Sequence, residues 1–308
     1  MKILFFGRGV IGTQYAWAFE KAGHTVEFYV REGRKEQYSS HIDLNIWDTR
    51  RRKKDRIVKE KWPIVTHEVI KENYDYDLIF MSVNPGQVSS AITSLAPRVG
   101  NATVLFFCNF WQDPQIAVHP IPLDQVVWGF PGGGGGFEGN TLYGGIYKTV
   151  QFLKFQPEPT KRDLEVRKLF ADAGFKIAVH KDAQSWLWNH FAFNVAMEME
   201  VLKSGSFENV VNSRMALDGI GSNVKELIQV LKAKGSKISI MTRFFAAIPP
   251  RTVGFLMSKV MSPNGMSYAL VKHNHFKVGY AVREVIVDAR KYGIYAPRLY
   301  AVESLITE

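Results

Sequence analysis

The hexapeptide Gly7-Arg8-Gly9-Val10-Ile11-Gly12 constrains the fold of this chain more than any other feature. It follows an apolar run at residues 2–6 that reads as a buried parallel strand. It opens the stretch Thr13–Ala22, where Tyr15, Ala16, Phe19 and Ala22 share one face of a predicted helix. Gly23 stops that helix, and Thr25–Val30 reads as a second strand. Strand, glycine turn, helix and strand within about thirty residues form the dinucleotide-binding unit of a Rossmann-type domain. In such a unit Gly7 permits the tight turn, Gly9 lets backbone approach a pyrophosphate, and Gly12 allows close helix–strand packing. The helix start adds amide donors and a positive dipole. Gly7, Arg8, Gly9, Val10, Ile11 and Gly12 are therefore the expected cofactor cradle.

The end of the second strand bears on which nicotinamide cofactor fits. An NAD site usually has Asp or Glu there; this chain has Arg31, with Arg34 and Lys35 close behind and Glu32 only after the strand end. Guanidinium and ammonium groups suit a 2′-phosphate, so NADP(H) is the expected cofactor.

Further β-rich runs are Asp77–Val83, Ala102–Cys108, Val150–Phe155 and Phe175–Val179. Helices are predicted at Gln87–Leu95 and from the Thr160 cap to Ala173, ended by Gly174. Gly129–Gly136, with five consecutive glycines, reads as a loop suited to a mobile lid. After residue 180 helical patterns dominate, at Ala183–Lys203, Leu217–Ser236, Arg251–Met261 and Phe276–Tyr292. A chain of 308 residues exceeds one hydrophobic core. The expected architecture is α/β: a Rossmann domain over 1–180 that binds the cofactor, then an all-α substrate domain over 181–308.

One cysteine, Cys108, excludes an intrachain disulfide and a cysteine metal cluster, and suits a reducing compartment. The apolar opening is too short for a signal peptide, and no apolar run reaches membrane-spanning length. A cytoplasmic location without a membrane partner is expected. The net charge of +10 is densest at Arg50-Arg51-Arg52-Lys53-Lys54-Asp55-Arg56, between the strand-like Leu44–Trp47 and Ile57–Val65. That tract reads as a solvated hairpin turn, and no helix-turn-helix, zinc-finger or RNA-binding pattern makes it a nucleic-acid site. No metal site is expected, since His273 and His275 stand i,i+2 and point to different helix faces.

With these features the chain resembles the ketopantoate reductase (2-dehydropantoate 2-reductase) family along essentially its whole length. Val83-Asn84-Pro85-Gly86-Gln87 lies where the family has a Val-Lys-x-x-Gln segment lining the cofactor. Asn109 matches the asparagine of its Asn-Gly motif beside nicotinamide and substrate. Trp188–Glu198 aligns with Trp-x-Lys-Leu-x-x-Asn-x-x-x-Asn, in which the lysine donates the proton and the asparagines position substrate. The lysine position is His190, the first asparagine is Asn194 and the second is Glu198. Near the C-terminus Lys277 takes the place of a substrate-binding glutamate, and Ser267 serves as the substrate serine if a short gap is allowed.

The resemblance implies an NADPH-dependent reductase of a 2-oxo acid or related carbonyl compound, with hydride transfer at the interdomain cleft. His190, Asn194, Glu198 and Asn109 are the candidate catalytic residues; Asn194, Glu198, Ser267 and Lys277 line the substrate; Arg31, Asn84, Gln87 and Asn109 join the glycine turn around the cofactor. An imidazolium near pKa ~6.5 could replace the lysine, and Glu198 could raise that pKa. The departures leave a second class open: a non-catalytic NADP(H)-binding protein that lost the lysine, which would bind cofactor without turnover. A nucleic-acid binder would instead show steeply salt-dependent affinity. Oligomeric state stays open, a homodimer being among the assemblies such a layout forms.

Overall fold

A computed structural model describes residues 1–70, 75–263 and 265–307. The chain divides into two compact units, Met1–Cys108 with Pro114–Lys181, and Asn109–Asp113 with Asp182–Glu308.

The first unit alternates strands and helices: β1 (Lys2–Phe6), α1 (Val10–Lys21), β2 (Thr25–Tyr29), β3 (His41–Asp48), β4 (Ile57–Pro63), β5 (Thr66–His67), β6 (Leu78–Met81), α2 (Val88–Leu95), β7 (Thr103–Phe106), α3 (Pro114–Ala117), β8 (Val126–Phe130), β9 (Gly133–Glu138), β10 (Thr141–Ile146), β11 (Thr149–Leu153), α4 (Lys161–Asp172) and β12 (Lys176–His180). Eight strands form one sheet in the order β12-β11-β8-β7-β6-β1-β2-β5. Its pairs are parallel except β11 against β8. The central strands are apolar along their length because both faces are covered: β6 and β7 bury every residue.

A second sheet, β4-β3-β10-β9, covers the outer side of α1. The helix touches β1 and β2 of the first sheet and β9 and β10 of the second. A helix covered on one side buries a single stripe; α1 buries every residue from Gly12 to Phe19. Two tryptophans cross-link it to β4. Trp17 donates its indole N–H to Glu60 at 3.1 Å, and Trp62 donates to Glu20 at 2.7 Å.

The five-glycine run is not a loop. Gly133–Gly136 belong to β9 and pair antiparallel with β10. Glycine is required on both strands by close approach: a Cβ at Gly135 would stand 2.1 Å from the Tyr143 carbonyl oxygen, and one at Gly144 would stand 2.2 Å from the Gly134 carbonyl oxygen and 2.8 Å from the Gln14 side-chain nitrogen. Gln14, fully buried in α1, donates to that same Gly134 oxygen at 2.9 Å. The run is thus a packed strand under a helix.

The basic tract does form the β3–β4 turn, but it is only partly solvated. Arg50 folds back onto Asp48, which is 1% exposed, with contacts of 2.9 and 2.8 Å to the two carboxylate oxygens. It also donates to the Ala173 carbonyl at 2.8 Å and lies over the Phe175 and Trp17 rings. These contacts tie the turn to the loop after α4.

The second unit is helical: α5 (Ala183–Ser204), α6 (Phe207–Asn212), α7 (Arg214–Ala233), α8 (Ile240–Ala247), α9 (Pro250–Val260), α10 (Met266–Lys272), α11 (Tyr280–Lys291) and α12 (Pro297–Ala301). Its apolar core runs through Val195, Met199, Ile220, Leu227, Val253, Val285 and Leu299. Asn189, buried in α5, fixes the α7–α8 connection. Its amide nitrogen donates to the Ser185 and Lys237 carbonyls, while its oxygen accepts from the Ser239 amide.

Candidate functional site

β1, β2 and β6 run parallel, so the segments leaving them lie along one edge of the sheet. In open α/β sheets this carboxyl-end edge is where ligands bind. The glycine turn leaves β1. Gly7 has φ +97, a backbone that side-chain-bearing residues rarely adopt, and its amide donates to Tyr29 of β2 at 2.8 Å. Gly9 is the N-cap of α1 and offers no side-chain cap, which leaves the first-turn amides of Val10, Ile11 and Gly12 without an intrahelical acceptor. A Cβ at Gly9 would meet nothing within 4 Å, whereas one at Gly12 would come within 3.3 Å of the Ser82 hydroxyl. Open space above Gly9 and tight packing below Gly12 fit the residues to a pyrophosphate.

Arg31 follows β2 with its side chain exposed. Arg34 bonds Gln37 at 2.8 Å in the turn beyond it. Arg8 does not reach freely into solvent. Its guanidinium is held between Tyr38 and Phe137, 4.7 and 4.8 Å from the ring centroids, and donates to Asn140 at 2.8 Å. Burial there lowers its pKa below the usual guanidinium value. After β6, Asn84 and Gln87 close a short turn: the Gln87 amide donates to the Asn84 carbonyl at 2.8 Å, and the Gln87 side-chain oxygen accepts from the Asn84 amide.

In the helical unit His190, Asn194 and Glu198 lie four apart on α5. His190 stacks on Trp186, ring centroids 5.4 Å apart and 5° from parallel. The residue is half-buried, and burial pushes its pKa down to about 4. The expectation of an imidazolium near its ordinary pKa, raised by Glu198, therefore fails: desolvation favours the neutral ring. Glu198 accepts instead from the Gly279 amide at 3.4 Å, and burial pushes its carboxyl up to about 7.

Gly279 caps α11 two residues after Lys277, which is exposed; Ser267 is the second residue of α10. Asn109 keeps its side-chain oxygen buried with no hydrogen-bond donor among the described residues, as does the indole nitrogen of Trp188 with no acceptor. Such orphaned buried polar atoms are uncommon, and Asn109 shares the condition with Thr13 Oγ1 and Gln14 Oε1 of α1.

One group that the sequence pattern did not single out is Lys234. Its ammonium, half-buried, pairs with Asp288 at 2.6 Å and lies 4.6 and 4.9 Å from the Trp111 and Trp188 ring centroids. Trp111 donates to the same Asp288 at 2.9 Å. The lone signal in the sequence is the pair of tryptophans, which reads equally well as plain core. Among the described residues no group of three or more His, Cys, Asp or Glu could hold a metal ion.

The comparisons agree with this layout. Residues 3–140 match the family model described as ketopantoate reductase PanE/ApbA. None of the curated proteins matches the chain. Among solved structures, a ternary complex of D-mandelate dehydrogenase with NADH and anilino(oxo)acetate has a TM-score of 0.74 at 14% identity, covering 99% of this chain and 97% of that one. A 2-dehydropantoate 2-reductase from Geobacter metallireducens GS-15 has a TM-score of 0.72 at 15% identity, covering 99% of both chains. The PanE/ApbA family ketopantoate reductase from Ralstonia eutropha JMP134 has a TM-score of 0.68 at 16% identity, covering 99% of this chain and 97% of that one. At such identities the likeness is one of fold. The match to the ketopantoate reductase (PanE/ApbA) family model, over residues 3–140, takes in the glycine turn and strands β1 to β9.

Proposed function

We propose that the chain is an NADPH-dependent reductase of a 2-oxo acid, ketopantoate-like, or of a related carbonyl compound. The observation that carries this reading is the uncapped start of α1 behind Gly7 and Gly9, with the exposed Arg31 leaving the neighbouring strand. Bound NADPH would supply hydride. The chain's residues would do the rest: the α1 amides hold the pyrophosphate, Arg31 pairs with the 2′-phosphate, and Asn84 and Gln87 border the cofactor. On the substrate side Asn109 and Asn194 would orient the carbonyl compound, with Ser267 and Lys277 as further candidates for its polar or anionic end.

A carbonyl reduced by hydride also needs a proton on the developing alkoxide. His190, pushed down to about 4, is neutral at neutral pH and can offer a hydrogen bond but no stored charge. Glu198, pushed up to about 7, holds a proton there in a substantial fraction of molecules. Within this reading Glu198 is the acid, and His190, two turns earlier on α5, a neutral donor.

NADPH oxidation by the purified protein with ketopantoate, and with NADH as control, tests the proposal. Turnover with NADPH supports it. Cofactor binding without turnover on a panel of 2-oxo acids would leave only a cofactor-binding protein. Arg31→Ala separates the cofactors: a charge-assisted phosphate contact is worth about 1.5–3 kcal/mol, so NADPH affinity should fall roughly ten- to hundredfold while NADH affinity holds. Equal weakening of both cofactors would remove Arg31 from the 2′-phosphate.

A further inference from the structure

The net charge of +10 is unevenly spread: from Leu227 to Arg283 the chain carries nine Lys and Arg and no Asp or Glu. Within that stretch α8 and α9 present bulky apolar side chains to solvent. None of the residues of α8 is buried. Ile240 and Met241 are 81% and 68% exposed, and Phe244 is exposed on the same face at i,i+1,i+4. α9 turns Val253, Gly254 and Met257 inward and leaves Phe255, Leu256 and Val260 exposed.

Arg243, Arg251 and Lys259 are interleaved with these residues and exposed. Nearby acids are already engaged: Asp218 with Arg214 at 2.8 Å, Asp182 with Lys237 at 3.2 Å, Glu208 with Lys272 at 3.8 Å. No carboxylate pairs with Arg243, Arg251 or Lys259 among the described residues. The Lys259 ammonium instead lies 5.4 Å from the Phe255 ring centroid.

We infer that the α8–α9 face docks on a bilayer containing anionic lipid. Six bulky apolar residues on two successive helices form a patch of the kind that marks an interaction site. An apolar face bordered by Lys and Arg, with the adjoining Asp218 already paired to Arg214, has the composition of an interfacial surface, which enters the headgroup boundary while its cations pair with lipid phosphates. A second copy of this chain fits the face less well, because a two-fold contact would set Arg243, Arg251 and Lys259 near their own counterparts. Surface attachment needs no spanning segment, and among the described residues no helix is long and apolar enough to cross a membrane.

Cosedimentation of the full chain with phosphatidylcholine vesicles, with and without phosphatidylglycerol, tests this. Binding is expected only with phosphatidylglycerol and should weaken in high salt. The triple reversal Arg243→Glu, Arg251→Glu, Lys259→Glu should weaken it by about a hundredfold or more. Ile240→Ser, Phe244→Ser, Phe255→Ser should also reduce it; circular dichroism checks that each variant, altered only at exposed positions, stays folded. Wild-type protein that ignores anionic vesicles at low salt overturns the proposal, as does a charge-reversed variant that binds like wild type. A dimer in sedimentation velocity that the serine variant dissolves, with no vesicle binding by wild type, would reassign the face to self-association.

Discussion

Asp48→Ala should destabilise the first unit by about 3–5 kcal/mol, because it strands a guanidinium inside the protein. The Arg50 side chain is 11% exposed and the Asp48 side chain 1%, so the pair is screened by little solvent. Asp48 does three things at once. It meets two nitrogens of Arg50 at 2.9 and 2.8 Å, accepts from the Arg50 amide at 3.0 Å, and pairs with Arg51 at 3.5 Å. Removing it leaves Arg50 held by the Ala173 carbonyl and the aromatic rings of Phe175 and Trp17, none of which carries a counter-charge. Calorimetry should show the affected transition fall by roughly 10 °C. The double variant Asp48→Ala, Arg50→Met should recover part of that loss, since it also removes the stranded charge. A single variant that melts within about a degree of wild type, or a double variant worse than the single, would show that Arg50 escapes to water when unpaired.

That pair also marks how far the sequence could be read. The strands on either side of the basic tract were legible from their apolar content, and the turn between them followed. That Arg50 is internal was not, because its partners, Asp48 and the Ala173 carbonyl, meet only in the folded chain. The first β-α-β unit was legible because local signals agree: an apolar strand, glycines at the positions a phosphate cradle needs, and Gly23 with φ +88 ending the helix. The Thr160 cap was legible for the same reason, and its hydroxyl accepts from Asp163 at 3.1 Å.

The second sheet was not legible. Glycine carries no hydrophobic periodicity, so β9 looked like a loop, and β10 pairs in parallel with β3 across almost a hundred residues. In the candidate site, spacing put His190, Asn194 and Glu198 together, but it could not give the burial of each. Burial is what separates a histidine pushed down to about 4 from a carboxyl pushed up to about 7.

The difference between those two groups gives the second large effect. Glu198→Gln should stabilise the helical unit by on the order of 3 kcal/mol above pH 7, with the advantage fading as pH falls toward 4.5. The sign follows from proton uptake. Between about pH 4.5 and 7 an unfolded Glu198 has released its proton while the folded one retains it, so rising pH favours unfolding across that window. Gln keeps an oxygen for the Gly279 amide and carries no charge to desolvate. Glu200, two residues on, has different surroundings: it is buried and accepts from Lys203, Asn223 and Arg298.

His190 works the opposite way. Its lowered pKa costs stability as pH falls from 6.5 toward 4, when the unfolded ring gains a proton that the folded ring refuses. Across roughly pH 4.5–6.5 the two slopes therefore oppose each other, and wild-type stability should be nearly flat there as far as these groups decide it. Glu198→Gln unmasks the histidine, and stability of the variant should climb with pH through the same window. Urea unfolding at a series of pH values reads both results. A variant with the same pH profile as wild type would mean that Glu198 is ionised in the folded protein well below pH 7, which would also remove it as the proton source for carbonyl reduction. A variant that gains stability above pH 7 and loses turnover, while still binding NADPH, would tie the buried carboxyl to the chemistry, since packing alone would move the first and spare the second.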